Sequence, residues 1–419
     1  MSNAKNRNLS DILSDLGAIR DDLNKRFRRC EKSVETMMAS MLAGELLLLI
    51  GPRGEAKTAV VEALAAYIED GQHFSVGLAK STTPDEIVGG LDTPSYIKEG
   101  VYRRNVDGFL PTATTFLLDE GFKGSNPVLQ SMLRLLSERT FEGRPVPTLF
   151  GAICSNELPP ELRGQKDGKS ADLGPFEDSL LAFFDRFFHK IMVEPLPVGT
   201  SDWDDVIFGG CSDVASSVRV SVSDVRTAQD AVSSVVIPDV VKDAIRELSG
   251  TLASGSAGSV VHVSTRTWRK SINVLKAHAL LAGRTTVQRS DLLWLENALW
   301  TTPDQRSTLR EALLSVGSPE SAEALSTEAK VAEFFAAFQA KRLTVSSSGD
   351  LSVGEYPLSD QRASVASEPL AIWLKQQAAT LRQLEATAED VVEIRRVRGW
   401  VEDVRSEVIE KMMARLRSV

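Results

Sequence analysis

The stretch that decides the fold is 46–58, LLLLIGPRGEAKT. Its five apolar residues run directly into Gly51, and a short apolar run that ends in glycine is typical of a buried parallel strand. Residues 51–58 match the phosphate-binding loop pattern G-x-x-x-x-G-K-[ST] at every position except Ala56, where the pattern has glycine. A glycine-rich turn with a chance Lys-Thr is the alternative, but the order of strand, loop and helix favours a P-loop.

The predicted loop supplies several kinds of phosphate ligand. Its backbone N–H groups and the N-terminus of the helix that follows face the anion, and Lys57 can reach the β- and γ-phosphates. The Thr58 hydroxyl can bind Mg²⁺. Ala56 fits this interpretation if it has helical dihedral angles at the start of the helix. The nucleotide is expected to contact nine consecutive residues: Gly51, Pro52, Arg53, Gly54, Glu55, Ala56, Lys57, Thr58 and Ala59.

Composition limits the class of protein. The chain has 419 residues, of which 42% are hydrophobic and 25% charged, as in a soluble globular protein of two or three domains. Its net charge of −9 argues against nucleic-acid binding by bulk charge. Cys30, Cys154 and Cys211 are scattered without metal spacing, which indicates a reducing compartment, and we expect a cytoplasmic protein.

We expect neither a membrane span nor a signal peptide. No apolar run reaches membrane-spanning length, and the N-terminus lacks the apolar core of a signal peptide. Residues 1–4 are interpreted as an expression scar and are left out of the argument.

Two further apolar segments end in polar residues that suit a nucleotide site. Residues 114–118 lead into Asp119 and Glu120, and 148–155 lead into Asn156. Ligands of α/β proteins bind at the carboxyl ends of parallel strands, so we expect Asp119 to hold Mg²⁺ and Glu120 to polarise the attacking water. Asn156 can contact the γ-phosphate or that water. A helix N-cap for the acidic pair and an Asx turn for Asn156 are the alternatives.

The remaining segments are assigned by their periodicity. We expect two helices within 8–44, a strand at 74–78, an exposed hairpin at 96–108, a mobile loop at 161–178 and an irregular stretch at 202–225. The predicted domains are an α/β core over 5–198, a helical lid over 199–300 and a mostly helical region over 301–419, with a β-hairpin near 343–356. The lid is expected to end in a helix at 290–299.

The order of these motifs resembles that of AAA+ ATPases, and the finer pattern is similar to the MoxR group and, within it, to the RavA-like branch. The resemblance rests on the P-loop and on five segments: FLLDEGFKGSNPVLQSMLRLLSERTFEG (116–143), SNELP (155–159), FDRF (184–187), STRTWRKSINVLKAHALLAGR (264–284) and SDLLWLENALW (290–300). It covers roughly 8–300 and does not extend to 301–419. It implies an α/β fold, a P-loop AAA+ core whose parallel sheet is flanked by helices, followed by an all-helical lid.

The resemblance also implies roles for individual residues. Beside Glu120, Asn156 corresponds to sensor 1, Arg186 to the arginine finger offered to the neighbouring subunit's γ-phosphate, and Arg266 to sensor 2, which reaches from the lid. From the residues alone, Arg186 could instead lie at the edge of the core with its charge in solvent. Arg266 could be a surface ion-pair partner.

Other positions are implied less directly. Arg269 and Lys270 compete with Arg266 for the sensor 2 role, and Glu138 and Arg139 are implied to face the subunit junction. The 88–110 segment corresponds to the helix-2 insert of this clade, which usually points toward the centre of the ring.

The function implied is that of a Mg²⁺-dependent ATP hydrolase. ATP and Mg²⁺ would be bound in a homo-hexameric ring that remodels or assembles a partner protein in the manner of a chaperone. A von Willebrand factor A-domain protein is the implied partner, and 301–419 is the candidate docking region. The alternatives are a nucleotide-switched scaffold with little turnover, or a DNA-remodelling motor, which the charge of −9 disfavours.

Overall fold

The structure is a computed structural model. It describes residues 7–28, 30–159, 175–196, 201–209, 217–255, 258–346, 348, 350–354, 356–359, 365–388 and 392–417. The chain forms two compact units, Met1–Asp243 with Ser249–Leu309, and Ala244–Leu248 with Arg310–Val419. Most of the predicted mobile loop at 161–178, and also Cys211, lie outside the described residues.

A five-stranded parallel sheet forms the centre of the first unit. Its strands are β1 Leu46–Ile50, β2 His73–Gly77, β3 Thr115–Asp119, β4 Phe150–Ser155 and β5 His189–Met192. They lie in the order β2-β3-β4-β1-β5, and every neighbouring pair is parallel. All residues of β1 and β4 are buried, as expected for central strands covered on both faces. The predicted fold class is therefore confirmed.

Helices flank the sheet and continue through the rest of the chain. The α-helices are α1 Leu9–Arg26, α2 Glu31–Ala43, α3 Lys57–Ala65, α4 Pro84–Val88, α5 Thr93–Glu99, α6 Asn126–Glu138, α7 Pro175–Phe184, α8 Ser201–Phe208, α9 Val222–Val232, α10 Asp239–Ser254, α11 Thr265–Leu281, α12 Gln305–Gly317, α13 Pro319–Gln339, α14 Ser367–Thr387 and α15 Val392–Arg417. Within the described residues, no helix combines the length and apolar character needed to cross a membrane.

The direction of the strands places the sequence motifs at one edge of the sheet. The P-loop follows β1, the acidic pair ends β3, and Asn156 follows β4, so all three lie at the carboxyl edge. The helix α6 then runs back toward the amino edge, and its 13 residues span about 20 Å. The two edges of the sheet therefore carry different candidate residues.

The predicted hairpin at 96–108 is wrong. The structure has the helix α5 there, because the Asp92 side chain accepts a hydrogen bond from the Ser95 N–H and Pro94 occupies the first turn. Gly100 ends the helix in the left-handed conformation. Strand-like pairing is limited to the isolated bridge between Leu91 and Arg104.

The predicted irregular stretch at 202–225 is also partly regular. It contains most of α8, where Trp203 packs edge-on against Phe208 with their ring centroids 6.0 Å apart. A short strand, Val220–Ser221, pairs in parallel with Ile68–Glu69. Long-range pairing of two residues leaves no periodic signal in a sequence, which is why the pattern did not show it. The lid segment Arg289–Asn297, where a helix was expected over 290–299, is a 3₁₀ helix.

The second unit has its own apolar core. Its helices α13, α14 and α15 pack against one another, and a hairpin of β6 Leu343–Val345 and β7 Leu351–Val353 packs on α13. The core is formed by fully buried aliphatic side chains, among them Val331, Leu370, Leu374, Leu381, Ile394, Val397, Val401 and Val408. Burial at helical spacing explains the long amphipathic pattern of the C-terminal region.

Candidate functional site

The loop after β1 has one residue in an unexpected conformation. Ala56, which we expected to be helical, has φ 53° and ψ 13° and is left-handed. A residue with a Cβ adopts this conformation at a cost of roughly 1–2 kcal/mol, whereas glycine does so freely. The glycine of the P-loop pattern is therefore explained by the backbone, and this chain tolerates alanine with strain.

Gly51 is required for a different reason. A Cβ atom at this position would collide with the backbone carbonyl oxygen of Val193, next to the end of β5. The Lys57 side chain is buried, and its Nζ donates to the carbonyl oxygens of Gly51 at 2.8 Å and Pro52 at 2.5 Å. The ammonium group thus lies inside the curve of the loop, where the backbone N–H groups of a phosphate site converge.

Thr58 and Asp119 fit a magnesium ion. The Thr58 hydroxyl lies 3.4 Å from Oδ2 of Asp119, and Oδ1 of Asp119 accepts a hydrogen bond from the Glu120 N–H at 2.9 Å. The residues thus present two oxygen donors side by side, one of them anionic. Mg²⁺ prefers oxygen ligands and is usually held by one or two protein groups together with phosphates and water.

Glu120 is held by two polar neighbours. The Asn156 side-chain amide donates to Oε1 of Glu120, and the ammonium group of Lys123 lies 3.1 Å from the same oxygen. Glu120 itself is left-handed, with φ 53°. The carboxylate is therefore oriented before any ligand arrives. Sequence reasoning missed Lys123, although its three-residue spacing from Glu120 is a recognisable signal.

A cavity of about 590 Å³ joins these groups. It is lined by all the loop residues from Arg53 to Ala59 and by Asp119, Glu120 and Asn156. Its volume lies within the range of small-molecule sites, roughly 300–1,000 Å³. The structure thus brings most of the predicted nucleotide contacts and the three polar residues at the carboxyl ends of β3 and β4 into one place.

Arg186 and Arg266 do not line this cavity. They lie together in a second cavity of about 200 Å³ beside Leu46, the first residue of β1. That position is the amino edge of the sheet, at the opposite end of β1 from the P-loop. The other polar side chains of this second cavity are Glu45, Ser137, Arg139, Asp185 and Lys270.

Buried ionisable groups begin the strand β5. Burial, with a smaller effect from nearby lysines, lowers the pKa of His189 to about 3, and burial lowers the pKa of Lys190 to about 8. The Nζ of Lys190 donates to the Trp300 carbonyl at 2.9 Å and lies over the ring of Phe184, 5.1 Å from its centroid. These contacts tie the segment around Arg186 to the end of the lid.

The comparisons with known proteins agree with this geometry. The family model described as the MoxR domain in MoxR-vWA-beta-propeller ternary systems matches 14–229, slightly more than half of the chain, and an AAA lid domain matches 240–313. Two uncharacterized proteins of Methanocaldococcus jannaschii are 28% and 27% identical to it over 69% and 70% of this chain and 72% of each relative.

Two further matches are more limited, one in the length that it covers and one in sequence identity. A structural protein of Acidianus two-tailed virus is 31% identical over 31% of this chain and 22% of its own length. The crystal structure of a candidate ATPase from Cytophaga hutchinsonii superimposes with a TM-score of 0.54 at 17% identity, covering 74% of this chain and 96% of that one. At that identity the superposition supports the fold alone.

Proposed function

The chain belongs to the MoxR group of AAA+ ATPases, and we propose that it hydrolyses ATP at the cavity beside the P-loop and uses the cycle to remodel or assemble a partner protein. The observation that carries the hydrolase assignment is the convergence of Lys57, Thr58, Asp119, Glu120 and Asn156 on one cavity. These residues come from three separate strand ends. Each belongs to a chemical type that phosphoryl transfer requires.

The proposed roles follow from the contacts. Lys57 leaves the carbonyl oxygens that it now contacts and binds the β- and γ-phosphates. Thr58 and Asp119 would hold Mg²⁺, which supplies charge neutralisation on the phosphates when bound. Glu120 orients and polarises the attacking water, and Asn156 keeps the Glu120 carboxylate in position.

The second cavity supports a ring. Arg186 and Arg266 lie at the amino edge of the sheet, whereas the chain's own P-loop lies at the carboxyl edge. Guanidinium groups that stabilise charge on a γ-phosphate must approach it closely, so we assign both residues to the nucleotide of an adjacent subunit. Hydrolysis then depends on assembly, and we propose a homo-hexamer that resembles the RavA-like branch.

The partner is inferred from the family description. The matching family is named for ternary systems of MoxR, vWA and β-propeller proteins, and we propose that this chain works with a von Willebrand factor A-domain protein. Residues 318–419 lie beyond both family matches and include the helices α13 to α15. We propose this helical unit as the region that contacts the partner or the client protein.

Hydrolysis is tested by two substitutions at the carboxyl edge. Lys57→Ala should weaken ATP binding, because it removes the cation on the phosphates. Glu120→Gln should bind ATP and release phosphate at least about 10²-fold more slowly, because the group that activates water is lost. Calorimetric titration with ATP and steady-state phosphate release distinguish the two effects.

A matched control checks that the loss is specific. Glu142→Gln changes an exposed glutamate that lies outside the P-loop cavity, and it should turn over ATP like the unmodified chain. If Glu120→Gln hydrolysed ATP as fast as the unmodified chain, the role assigned to Glu120 would be wrong. With ATP, the slow Glu120→Gln variant also serves as a trap for capturing the partner protein.

A further inference from the structure

An arginine that the resemblance places at the subunit junction, but to which it assigns no ligand, lines the second cavity. Arg139 follows the last residue of α6 and has a left-handed backbone, with φ 53°. Its Nη2 atom donates to the carbonyl oxygen of Gly44 at 2.9 Å. Its Nη1 atom is shielded from solvent and has no hydrogen-bond partner among the described residues.

A shielded N–H without a partner is unusual for a guanidinium group. Buried polar atoms in folded proteins are nearly always hydrogen-bonded, and an unpaired one costs about 1–3 kcal/mol. Arg139 also adopts a backbone conformation that is strained for any residue with a Cβ. Strain of this kind concentrates at functional sites. The unpaired Nη1 atom and the left-handed backbone together indicate that Arg139 has a ligand-binding role.

The charges around Arg139 are unbalanced. Four basic side chains line the cavity against two carboxylates. Lys270 is paired with Glu45 at 2.6 Å, and Arg186 lies 3.9 Å from Asp185. Among the described residues, Arg139 and Arg266 have no carboxylate partner, and the Nε atom of Arg186 is also shielded without a hydrogen bond. The cavity therefore has unused donors and an excess of positive charge.

We propose that Arg139 is a third phosphate ligand, which together with Arg186 and Arg266 binds the terminal phosphate of a nucleotide held on the P-loop of an adjacent copy of this chain. The inference rests on the proposed function, and it deepens that function by naming a further residue. The bond to Gly44 fixes one side of the planar guanidinium group and leaves Nη1 without a hydrogen-bond partner among the described residues. Three guanidinium groups suit the charge spread over the oxygens of a γ-phosphate.

The electrostatics of Arg139 agree with an anionic ligand. Burial lowers the pKa of its guanidinium group, and the carboxylate of Glu45 raises it by a smaller effect. Desolvation of a cation is offset when an anion binds beside it. Its own P-loop cannot supply that anion, because the P-loop lies at the other edge of the sheet.

The first test measures anion binding without hydrolysis, using inorganic pyrophosphate as the probe. In the full-length Lys57→Ala chain, whose P-loop is disabled, pyrophosphate should raise the thermal unfolding midpoint. Adding Arg139→Gln should abolish most of that rise. Adding Arg226→Gln should leave it intact, because Arg226 also donates to a backbone carbonyl, that of Pro147 at 3.1 Å, but does not line the cavity. An equal rise in all three chains would overturn the proposal.

The second test asks whether the phosphate belongs to a neighbour. Arg139→Gln subunits should bind ATP normally and hydrolyse it about 10²-fold more slowly, as when one preorganised donor is removed. Mixing them with Lys57→Ala subunits should restore part of the turnover, because mixed rings contain junctions with one intact P-loop and one intact cavity. Co-assembled rings, verified by mass photometry, that recover no turnover would overturn the proposal, even if pyrophosphate binds.

Different experimental results would overturn this inference and the proposed function. Unmodified turnover in Arg139→Gln, together with slow turnover in Glu120→Gln, overturns only the role of Arg139. Unmodified turnover in Glu120→Gln overturns the hydrolase assignment itself. If Arg139→Gln does not fold, Arg139→Lys replaces it in both tests. This variant keeps the positive charge but loses the planar guanidinium group, so it should lose less pyrophosphate stabilisation and less turnover than is expected for Arg139→Gln.

Discussion

At the scale of single residues, the P-loop requires a left-handed backbone at the position before Lys57, and this chain has alanine there instead of the glycine of the pattern. Ala56 occupies a left-handed position with φ 53°, which a glycine would occupy without strain. Glu120 and Arg139 are left-handed as well, and they lie at the two edges of the sheet that carry the two cavities. Left-handed residues with a Cβ therefore occur at each candidate site.

Ala56→Gly should stabilise the folded chain. The substitution removes roughly 1–2 kcal/mol of left-handed strain and favours the unfolded chain entropically by about 0.4–1 kcal/mol, so a net gain of about 0–1.6 kcal/mol is expected. Urea-induced unfolding measures the difference. Ala59→Gly, within the first turn of α3, should instead destabilise by about 0.5–1 kcal/mol. Destabilisation by Ala56→Gly would contradict the assigned backbone conformation.

At the scale of elements, the strand β5 connects the sheet to the helices that cover it. His189 is fully buried, and its Nδ1 lies 2.6 Å from the Ser40 hydroxyl of α2. That hydroxyl donates its proton to the Thr36 carbonyl at 2.7 Å, so Nδ1 of His189 is the donor to Ser40. Burial, with a smaller effect from the positive charges of Lys190 and Lys270, lowers the pKa of His189 and favours the neutral ring in the folded chain.

Stability should fall as the pH drops from about 6.5 toward about 3. Burial lowers the pKa of His189 from 6.5 in the unfolded chain to about 3, so the unfolded state binds more protons across this window. The measurement is the urea midpoint at pH 7 and pH 4.5 for the unmodified chain and for His189→Gln, which should lose less stability between them. His262→Gln, which changes an exposed histidine, should behave like the unmodified chain. Equal losses in all three would contradict the role of His189.

At the scale of the whole molecule, the division into two units separates the candidate nucleotide residues from the C-terminal helices. Every residue that lines the two cavities lies in the first unit. The apolar core formed by α13 to α15 consists of residues of the second unit. We therefore expect nucleotide binding to be independent of that core.

Removal of 319–419 should leave ATP binding intact. The deletion retains α12, which ends at Gly317, and the whole region matched by the lid family. The ATP dissociation constant, measured by calorimetric titration, should change less than about threefold, a difference of roughly 0.65 kcal/mol. Lys57→Ala in the same shortened chain is the negative control. A folded shortened chain that does not bind ATP would place part of the nucleotide site beyond 318.

The sequence by itself determined the P-loop, the buried strands and the acidic pair, because each is a local pattern whose meaning depends on neighbours in the chain. It also predicted that Asn156 lies at the same edge of the sheet as Glu120, since parallel strands end at one edge; the contact between the two side chains is seen only in the structure. The left-handed angle of Ala56 and the helix α5 were not predicted, because backbone angles and side-chain caps depend on three-dimensional contacts that periodicity does not show.

Only the tertiary structure decided which basic residues share the second cavity. Arg139 follows α6, Arg186 precedes β5 and Arg266 lies in the first turn of α11, so these residues come from three distant segments. Their meeting depends on the length of α6, on strand order and on how α11 packs against α2. Packing of this kind is set by the shape of buried surfaces, whereas a motif is set by residues that are adjacent in the chain.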